Sequence, residues 1–165
     1  MIVRDATIAD LPAIVAIYNA AIPSRNATAD LEPITVESRR EWFALHNPTR
    51  RPLWVAEVAG EVVAWIGLSS FYCGRVAYDA TAEVSMYVAP EFQAKGVGRE
   101  LMQQLIAACP RLGVKTLLVF YFDHNTGSRK LCQSLGFEQA GHLQRIANLD
   151  GTERGVIIGT LRVSE

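Results

Sequence analysis

Polar and apolar positions change period several times along the chain, and each change marks an element. Ile2–Arg4 reads as a short strand; Thr7 then stands as a helix N-cap with Asp10 three residues on. Leu11, Ile14, Val15 and Tyr18 follow at helical spacing and make one apolar stripe. A second helix is expected from Thr35, burying Trp42, Phe43 and His46. Leu53–Val58 and Val62–Ser70 are rich in β-formers and are joined by Ala59-Gly60-Glu61, a hairpin signal. Ala82–Val88 alternates strictly, with Ala82, Val84, Met86 and Val88 on one face and Glu83, Ser85 and Tyr87 on the other. Leu101, Met102, Leu105, Ile106 and Cys109 predict a helix from about Val97 until Pro110 ends it. Thr116–Phe122 is a continuous apolar run, which predicts a strand covered on both faces. Ser128–Leu135 predicts a short helix stopped by Gly136 and Phe137 in a Schellman turn. Further β segments close the chain, Gly155–Val163 among them. Strands that alternate with helices around a central run make a layered α/β or α+β sheet.

No Pro/Gly/Ser-rich linker and no repeat divides the 165 residues, so one domain over 1–165 is expected. Sixteen Lys and Arg balance 17 Asp and Glu, which argues against a nucleic-acid binder with its usual cationic surplus. Cys73, Cys109 and Cys132 form no C-x-x-C pair, and His46, His124 and His142 are scattered, so neither a disulfide scaffold nor a metal site is expected. Met1-Ile-Val-Arg-Asp lacks the apolar core of a signal peptide, and Leu117–Phe122 is too short to span a bilayer. The expectation is a cytoplasmic protein with no membrane partner.

The stretch Val88-Ala-Pro-Glu-Phe-Gln-Ala-Lys-Gly-Val-Gly-Arg joins a strand to a helix. Gly96 and Gly98 at the helix entrance let backbone N–H groups turn toward a phosphate. The helix N-terminus adds partial positive charge, and Lys95 and Arg99 add full charges. A pyrophosphate is therefore the natural ligand, and taken alone the two glycines read equally well as a glycine-rich connector. A Walker loop is excluded because Arg99-Glu100 follows Gly98, and a dinucleotide fingerprint because position 101 is Leu.

Gln93-x-x-Gly96-x-Gly98 after a β segment resembles the Q/R-x-x-G-x-G/A signature of GNAT-superfamily N-acetyltransferases. The likeness runs over essentially the whole chain: Val3-Arg-Asp-Ala-Thr with Asp10, the signature loop, Asn125-x-x-Ser128 and Leu135-Gly-Phe137. Within the superfamily the chain is similar to the phosphinothricin N-acetyltransferase branch, through Arg75-x-x-Tyr78-Asp79, Glu83-x-x-x-Tyr87-Val88, and Glu32-Pro33 before Trp42. The resemblance implies a mixed, mostly antiparallel central sheet flanked by helices, acetyl-CoA as co-substrate, a small amino-acid-like amine as acceptor, no metal, and a homodimer. It also implies roles. Glu83 becomes the general base; the backbone of Met86, Tyr87 and Val88 holds the pantetheine arm and polarises the thioester. Gln93, Ala94, Lys95, Gly96, Val97, Gly98 and Arg99 take the pyrophosphate, Asn125 and Ser128 contact the cofactor, and Arg75 and Tyr78 line the acceptor pocket.

The residue types suit that chemistry. An alkyl amine is mostly ammonium at neutral pH, and a carboxylate on a half-buried strand has a pKa raised toward the working range. From alternation alone Glu83 also reads as a solvated charge, and the resemblance favours the base. Backbone N–H groups near Met86–Val88 are the expected donors to the developing oxyanion. The superfamily's proton-donating Tyr falls here on Cys132, which reads as a packed residue, so no general acid is assigned. His124 reads as a polar loop residue in preference to an acceptor contact. The branch's Phe-Arg pair ahead of Glu32-Pro33 is replaced by Ala29-Asp30-Leu31, so Asp30 reads either as a group that repels a phosphinate or carboxylate and welcomes a second amine or guanidinium, or equally as a turn residue. Two other readings stay open: acetylation of protein N-termini, and a non-catalytic acyl-CoA sensor. The apolar segment Val156–Ile158 and the sheet edges are expected to support the dimer.

Overall fold

Seven strands, β1 (Ile2–Asp5), β2 (Leu53–Val58), β3 (Glu61–Ser70), β4 (Thr81–Val88), β5 (Thr116–Phe122), β6 (Glu138–Leu149) and β7 (Thr152–Arg162), form one sheet in the order β1-β2-β3-β4-β5-β7-β6. This is a computed structural model, and it describes residues 1–164. Neighbours run antiparallel except β4 and β5, which are parallel and joined by a helical crossover. The helices are α1 (Leu11–Ala21), α2 (Arg40–Ala44), α3 (Val97–Ala108) and α4 (Thr126–Ser134).

The strict alternation in β4 divides the core in two. Ala82 and Val84 face α3 and α4, where Leu101, Met102, Leu105 and Cys132 pack against Ile66, Leu68, Leu117 and Val119. On the opposite face Ile14 and Ile17 of α1 pack on Leu53, Val55 and Trp65, with Trp42 and Phe43 of α2 at the margin. Thr7 and Asp10 start the helical region as expected: the Asp10 carboxylate accepts from the Thr7 N–H at 2.7 Å and from its hydroxyl at 3.0 Å. At the end of α4 the Phe137 N–H donates to the Cys132 carbonyl at 3.0 Å and the Gly136 N–H to Gln133 at 3.1 Å. Gly136 has φ +87°, so the expected Schellman stop is the one that forms.

Two expectations change. The helix expected from Thr35 divides into a 3-10 turn, Glu37–Arg39, and the five-residue α2, and Trp42, Phe43 and His46 are only half-buried. Arg39 sits at the junction with φ −102° and ψ 0°, off the helical path. β5 is not covered along its whole length: Leu117, Leu118, Val119 and Phe122 are buried, whereas Phe120 is 39% exposed. Val156–Ile158 lies inside the sheet. β7 lies between β5 and β6, Ile157 is buried, and the sheet ends on β1 and β6.

Candidate active site

β4 and β5 pair from Thr81↔Thr116 to Val84↔Val119, and there the pairing ends, although β4 continues to Val88 and β5 to Phe122. Ser85–Val88 keep their bonds to β3, and β5 keeps its bonds to β7. Two parallel strands that part in mid-sheet leave a wedge between them. On the β4 side, the backbone N–H and C=O of Met86 and the N–H of Val88 point away from β3 and lie outside the β4–β5 ladder, open to an extended ligand.

The connection from β4 to α3 closes one end of the wedge. Ala94 and Gly96 take left-handed φ angles of 57° and 87°, and Gly96 stands at the cap of α3. A Cβ on Gly96 would meet nothing within 4 Å, so glycine answers the backbone conformation there, not crowding. Gly98 is the opposite case: its Cβ would come within 3.1 Å of the Met86 methyl, so the first turn of α3 lies directly on β4. The Gln93 side-chain amide donates to the Val88 carbonyl at 3.0 Å and ties the loop to the strand end. Lys95 is exposed, with its ammonium 5.5 Å from the Phe92 ring centre. Arg99 donates to the Ser134 hydroxyl at 2.8 Å, which spans the gap from the start of α3 to the end of α4. A helix N-terminus, Lys95 and Arg99 are what an anion would meet at this loop.

Glu83 stands opposite Ser69 of β3 and Leu118 of β5, two residues before the wedge opens. It is half-buried, and burial alone pushes its carboxyl above the usual carboxylate range. Ser85 follows on the same face about 7 Å along the strand, and it lines a cavity of about 200 Å³ beneath α1 and α2. Tyr18, Arg39, Trp42, Trp65 and Tyr87 supply the cavity's polar and aromatic walls. Tyr87 stacks on Trp65 with ring centres 5.0 Å apart, and the Arg39 guanidinium lies 5.1 Å from the Tyr18 ring centre and 5.7 Å from that of Trp42.

Arg75 and Tyr78 belong to the loop between β3 and β4, which leaves the sheet beside Glu83, where Ser70 pairs with Ala82. Phe71, Tyr72 and Tyr78 cluster there, and Arg75 lies over the Tyr72 ring at 5.4 Å. Arg51 anchors the loop from inside. It is buried, and it donates to the Ser70 hydroxyl and to the Arg50 and Asp79 carbonyls at 3.1, 2.9 and 2.8 Å. Nothing in the local pattern marked Arg51, because its partners come from three separate stretches of chain.

Other expected site residues have their polar atoms in use. Asn125 is buried; its side-chain oxygen accepts from the Ser128 N–H at 2.9 Å, which caps α4, and its amide donates to the Asn26 carbonyl at 2.8 Å. The Asn125-x-x-Ser128 spacing is thus an N-cap spacing. Asp30, expected to present an open carboxylate, accepts from the Tyr18 hydroxyl at 2.5 Å and lies 3.5 Å from Arg39. Cys132 is buried, and burial pushes its thiol up to about 11, in keeping with a packed residue. The His124 Nε2–H donates to the Arg25 carbonyl at 2.9 Å, and Tyr87 donates to the Ala27 carbonyl at 3.1 Å. The segment after α1 is therefore strapped across the open end of β4 and β5 by His124, Asn125 and Tyr87, an arrangement the sequence did not suggest.

Comparison with known proteins fits this geometry. The sequence profile of the Acetyltransferase (GNAT) family matches residues 14–137. A Bacillus subtilis (strain 168) protein named "Putative phosphinothricin acetyltransferase YwnH" is 48% identical over 152 residues, covering 92% of both chains. The L-methionine sulfoximine/L-methionine sulfone acetyltransferase of Pseudomonas paraeruginosa is 33% identical, covering 90% of this chain and 87% of that one. The crystal structure of a GNAT superfamily phosphinothricin acetyltransferase from Sinorhizobium meliloti, in complex with acetyl-CoA, superposes with a TM-score of 0.91 at 27% identity, covering 98% of this chain and 87% of that one.

Proposed function

The chain belongs to the GNAT acetyltransferase family, and from that premise we propose that it moves an acetyl group from acetyl-CoA to the primary amine of a small amino-acid-like molecule. The acetyl donor fits what the residues offer. The wedge between β4 and β5 has room for an extended arm, with backbone groups of Met86 and Val88 outside the ladder, and at its end Ala94–Arg99 offer an anion the start of α3 with Lys95 and Arg99. Acetyl-CoA supplies an acyl group activated as a thioester.

This chain's residues do the rest. Glu83 takes a proton from the acceptor's ammonium, directly or through a water, and leaves a neutral nitrogen with a lone pair for the thioester carbon. Burial raises its pKa, which makes the carboxylate a stronger base than a surface glutamate. The backbone N–H groups of Met86 and Val88 donate to the carbonyl oxygen as charge builds there. As the C–N bond forms and the C–S bond breaks, the now cationic nitrogen releases its second proton to solvent and the departing thiolate takes a proton from solvent, since no side chain is assigned to that step. Arg75 and Tyr78 border the acceptor from the loop beside Glu83, and relatives named for phosphinothricin and methionine sulfone support an acceptor of amino-acid type.

The observation that carries the reading is Glu83 itself: a half-buried carboxylate two residues ahead of the point where parallel strands part. Glu83→Gln keeps the shape and removes the base. With thiol release as the assay, kcat is expected to fall by about a hundredfold to ten-thousandfold while acetyl-CoA still binds. In the wild type, kcat/KM should decline as pH falls through the raised Glu83 pKa, because only the ionised form accepts a proton. That acid limb should disappear in the variant. Near-normal turnover in Glu83→Gln rules the assignment out.

A further inference from the structure

The acceptor nitrogen loses two protons in the reaction, one before it attacks and one after, and Glu83 accounts for the first. A second titratable side chain faces the same part of the sheet. His46 follows α2, and its Nδ1–H donates to the Trp42 carbonyl at 3.0 Å, which fixes the ring and leaves the lone pair on Nε2. The imidazole makes a T-shaped contact with the Trp42 ring, centres 4.7 Å apart. Nε2 has no hydrogen-bond partner among the described residues, and it is not sealed away, because His46 is only half-buried. A ring whose whole role was to close the end of α2 would be complete at Nδ1.

Gly67 shows where Nε2 stands. A Cβ on Gly67 would lie 3.2 Å from Nε2, so the imidazole rests directly on β3 at this residue. Gly67 pairs with Ser85 of β4, and Ser69, two residues on, pairs with Glu83. By alternation, positions 67, 69, 83 and 85 present one face. Positions 67 and 83 are then diagonal neighbours, roughly 7–8 Å apart, and the imidazole and the Glu83 carboxyl stand over one patch of sheet. Burial lowers the His46 pKa below the ordinary histidine value, so at neutral pH the ring is neutral and its lone pair is available.

We infer that His46 is a second catalytic residue of the acetyl transfer: its Nε2 takes the second proton from the acceptor nitrogen, in place of solvent. The inference rests on the acetyltransferase reading and on Glu83 as the first base. Glu83 takes one proton from the ammonium, and the freed lone pair forms the C–N bond. The carbonyl electron pair moves to oxygen and the nitrogen becomes cationic. Nε2 accepts the second proton, directly or through a water. A nitrogen relieved of that proton can no longer leave as a neutral amine, so the intermediate collapses toward product. The oxygen's pair returns, the C–S bond breaks, and its electron pair leaves on sulfur. The thiolate takes one proton from solvent, while the imidazolium and the Glu83 carboxyl return one each, for a net release of one proton per turnover.

The wild type is first given acetyl-CoA with L-methionine sulfone, phosphinothricin and a panel of amino acids, and the best acceptor is carried forward. N-acetylated product is measured, because added imidazole can itself consume thioester. No product with any amine, despite acetyl-CoA binding, overturns the acetyltransferase reading itself. His46→Asn keeps an N–H for the Trp42 carbonyl and has no basic nitrogen. Its kcat should fall by about tenfold to a hundredfold while the KM for acetyl-CoA stays unchanged. In His46→Ala, imidazoles added from solution should restore kcat, and at equal concentrations of neutral base the more basic rings should restore more. Should the alanine variant fail to fold, the split between kcat and acetyl-CoA KM in His46→Asn decides. Near-normal kcat in His46→Asn overturns the assignment. So does a loss in His46→Ala that imidazoles leave in place or restore equally whatever their basicity.

Discussion

Asp10 illustrates how one side chain is read twice. In sequence it is the third residue of a helix start, and in the structure it is also the partner of Arg4, whose guanidinium meets both carboxylate oxygens at 2.8 and 2.9 Å. Those bonds, with the Thr7 N–H and hydroxyl, hold its carboxyl down to about 2 against burial. A depressed folded-state pKa stabilises the fold above the unfolded value near 4, and that stabilisation is lost as pH falls toward 2. Arg4 is about a third exposed, so solvent screening reduces the contribution to on the order of 1–2 kcal/mol. Asp10→Asn should therefore lower the denaturation free energy at pH 7 by about that amount, and the gap to wild type should close near pH 2 in parallel urea titrations. An equal gap at both pH values would refute the ion pair's role. Glu83 was equally legible, since strict alternation assigns its face. Arg39 and Trp65 were not, because they line one cavity only after the chain before β2 packs on β3, and no spacing in the chain relates them.

Elements show the same division between what is local and what is assembled. The hairpin, the crossover helix and the Schellman stop were readable because each is closed by residues within a few positions of one another. The strap after α1 is not of that kind. Its carbonyls at Arg25, Asn26 and Ala27 are met by His124, Asn125 and Tyr87, about 60 to 100 positions away in sequence. Asn125 joins the two kinds: it caps α4 locally and secures the strap at long range. Asn125→Ala removes the cap and leaves the Asn26 carbonyl without its donor, which should cost about 1–3 kcal/mol in chemical denaturation. Asn125→Asp restores the cap acceptor but not the amide donor, and should recover only part of the loss. Full recovery would show that the strap bond contributes nothing.

At the scale of the molecule the telling feature is a sheet whose two parts are joined by only four paired positions at β4 and β5. Neither strand announces this. Ala82–Val88 alternates through to its end, and Thr116–Phe122 stays apolar, so the sequence predicts two ordinary strands and gives no sign of where their pairing stops. The half-exposed Phe120 is the structural trace of the missing neighbour. A sheet built this way keeps backbone pairing capacity in reserve, and a ligand lying in the wedge would bond to β4 while its phosphates rest on the start of α3. Such a ligand joins the β1–β4 part of the fold to the β5–β7 part, so its binding free energy adds to the stability of the whole cooperative unit. At a hundred times its dissociation constant acetyl-CoA should stabilise the fold by about 2.7 kcal/mol. For a chain of this length that corresponds to a rise in Tm of roughly 5–10 °C. Desulfo-CoA, which has the pyrophosphate and the arm but no acyl group, should produce most of the same shift if the strand edge and the Ala94–Arg99 loop do the binding. A shift confined to acetyl-CoA would place the binding energy at the acyl group and contradict the wedge as the binding surface.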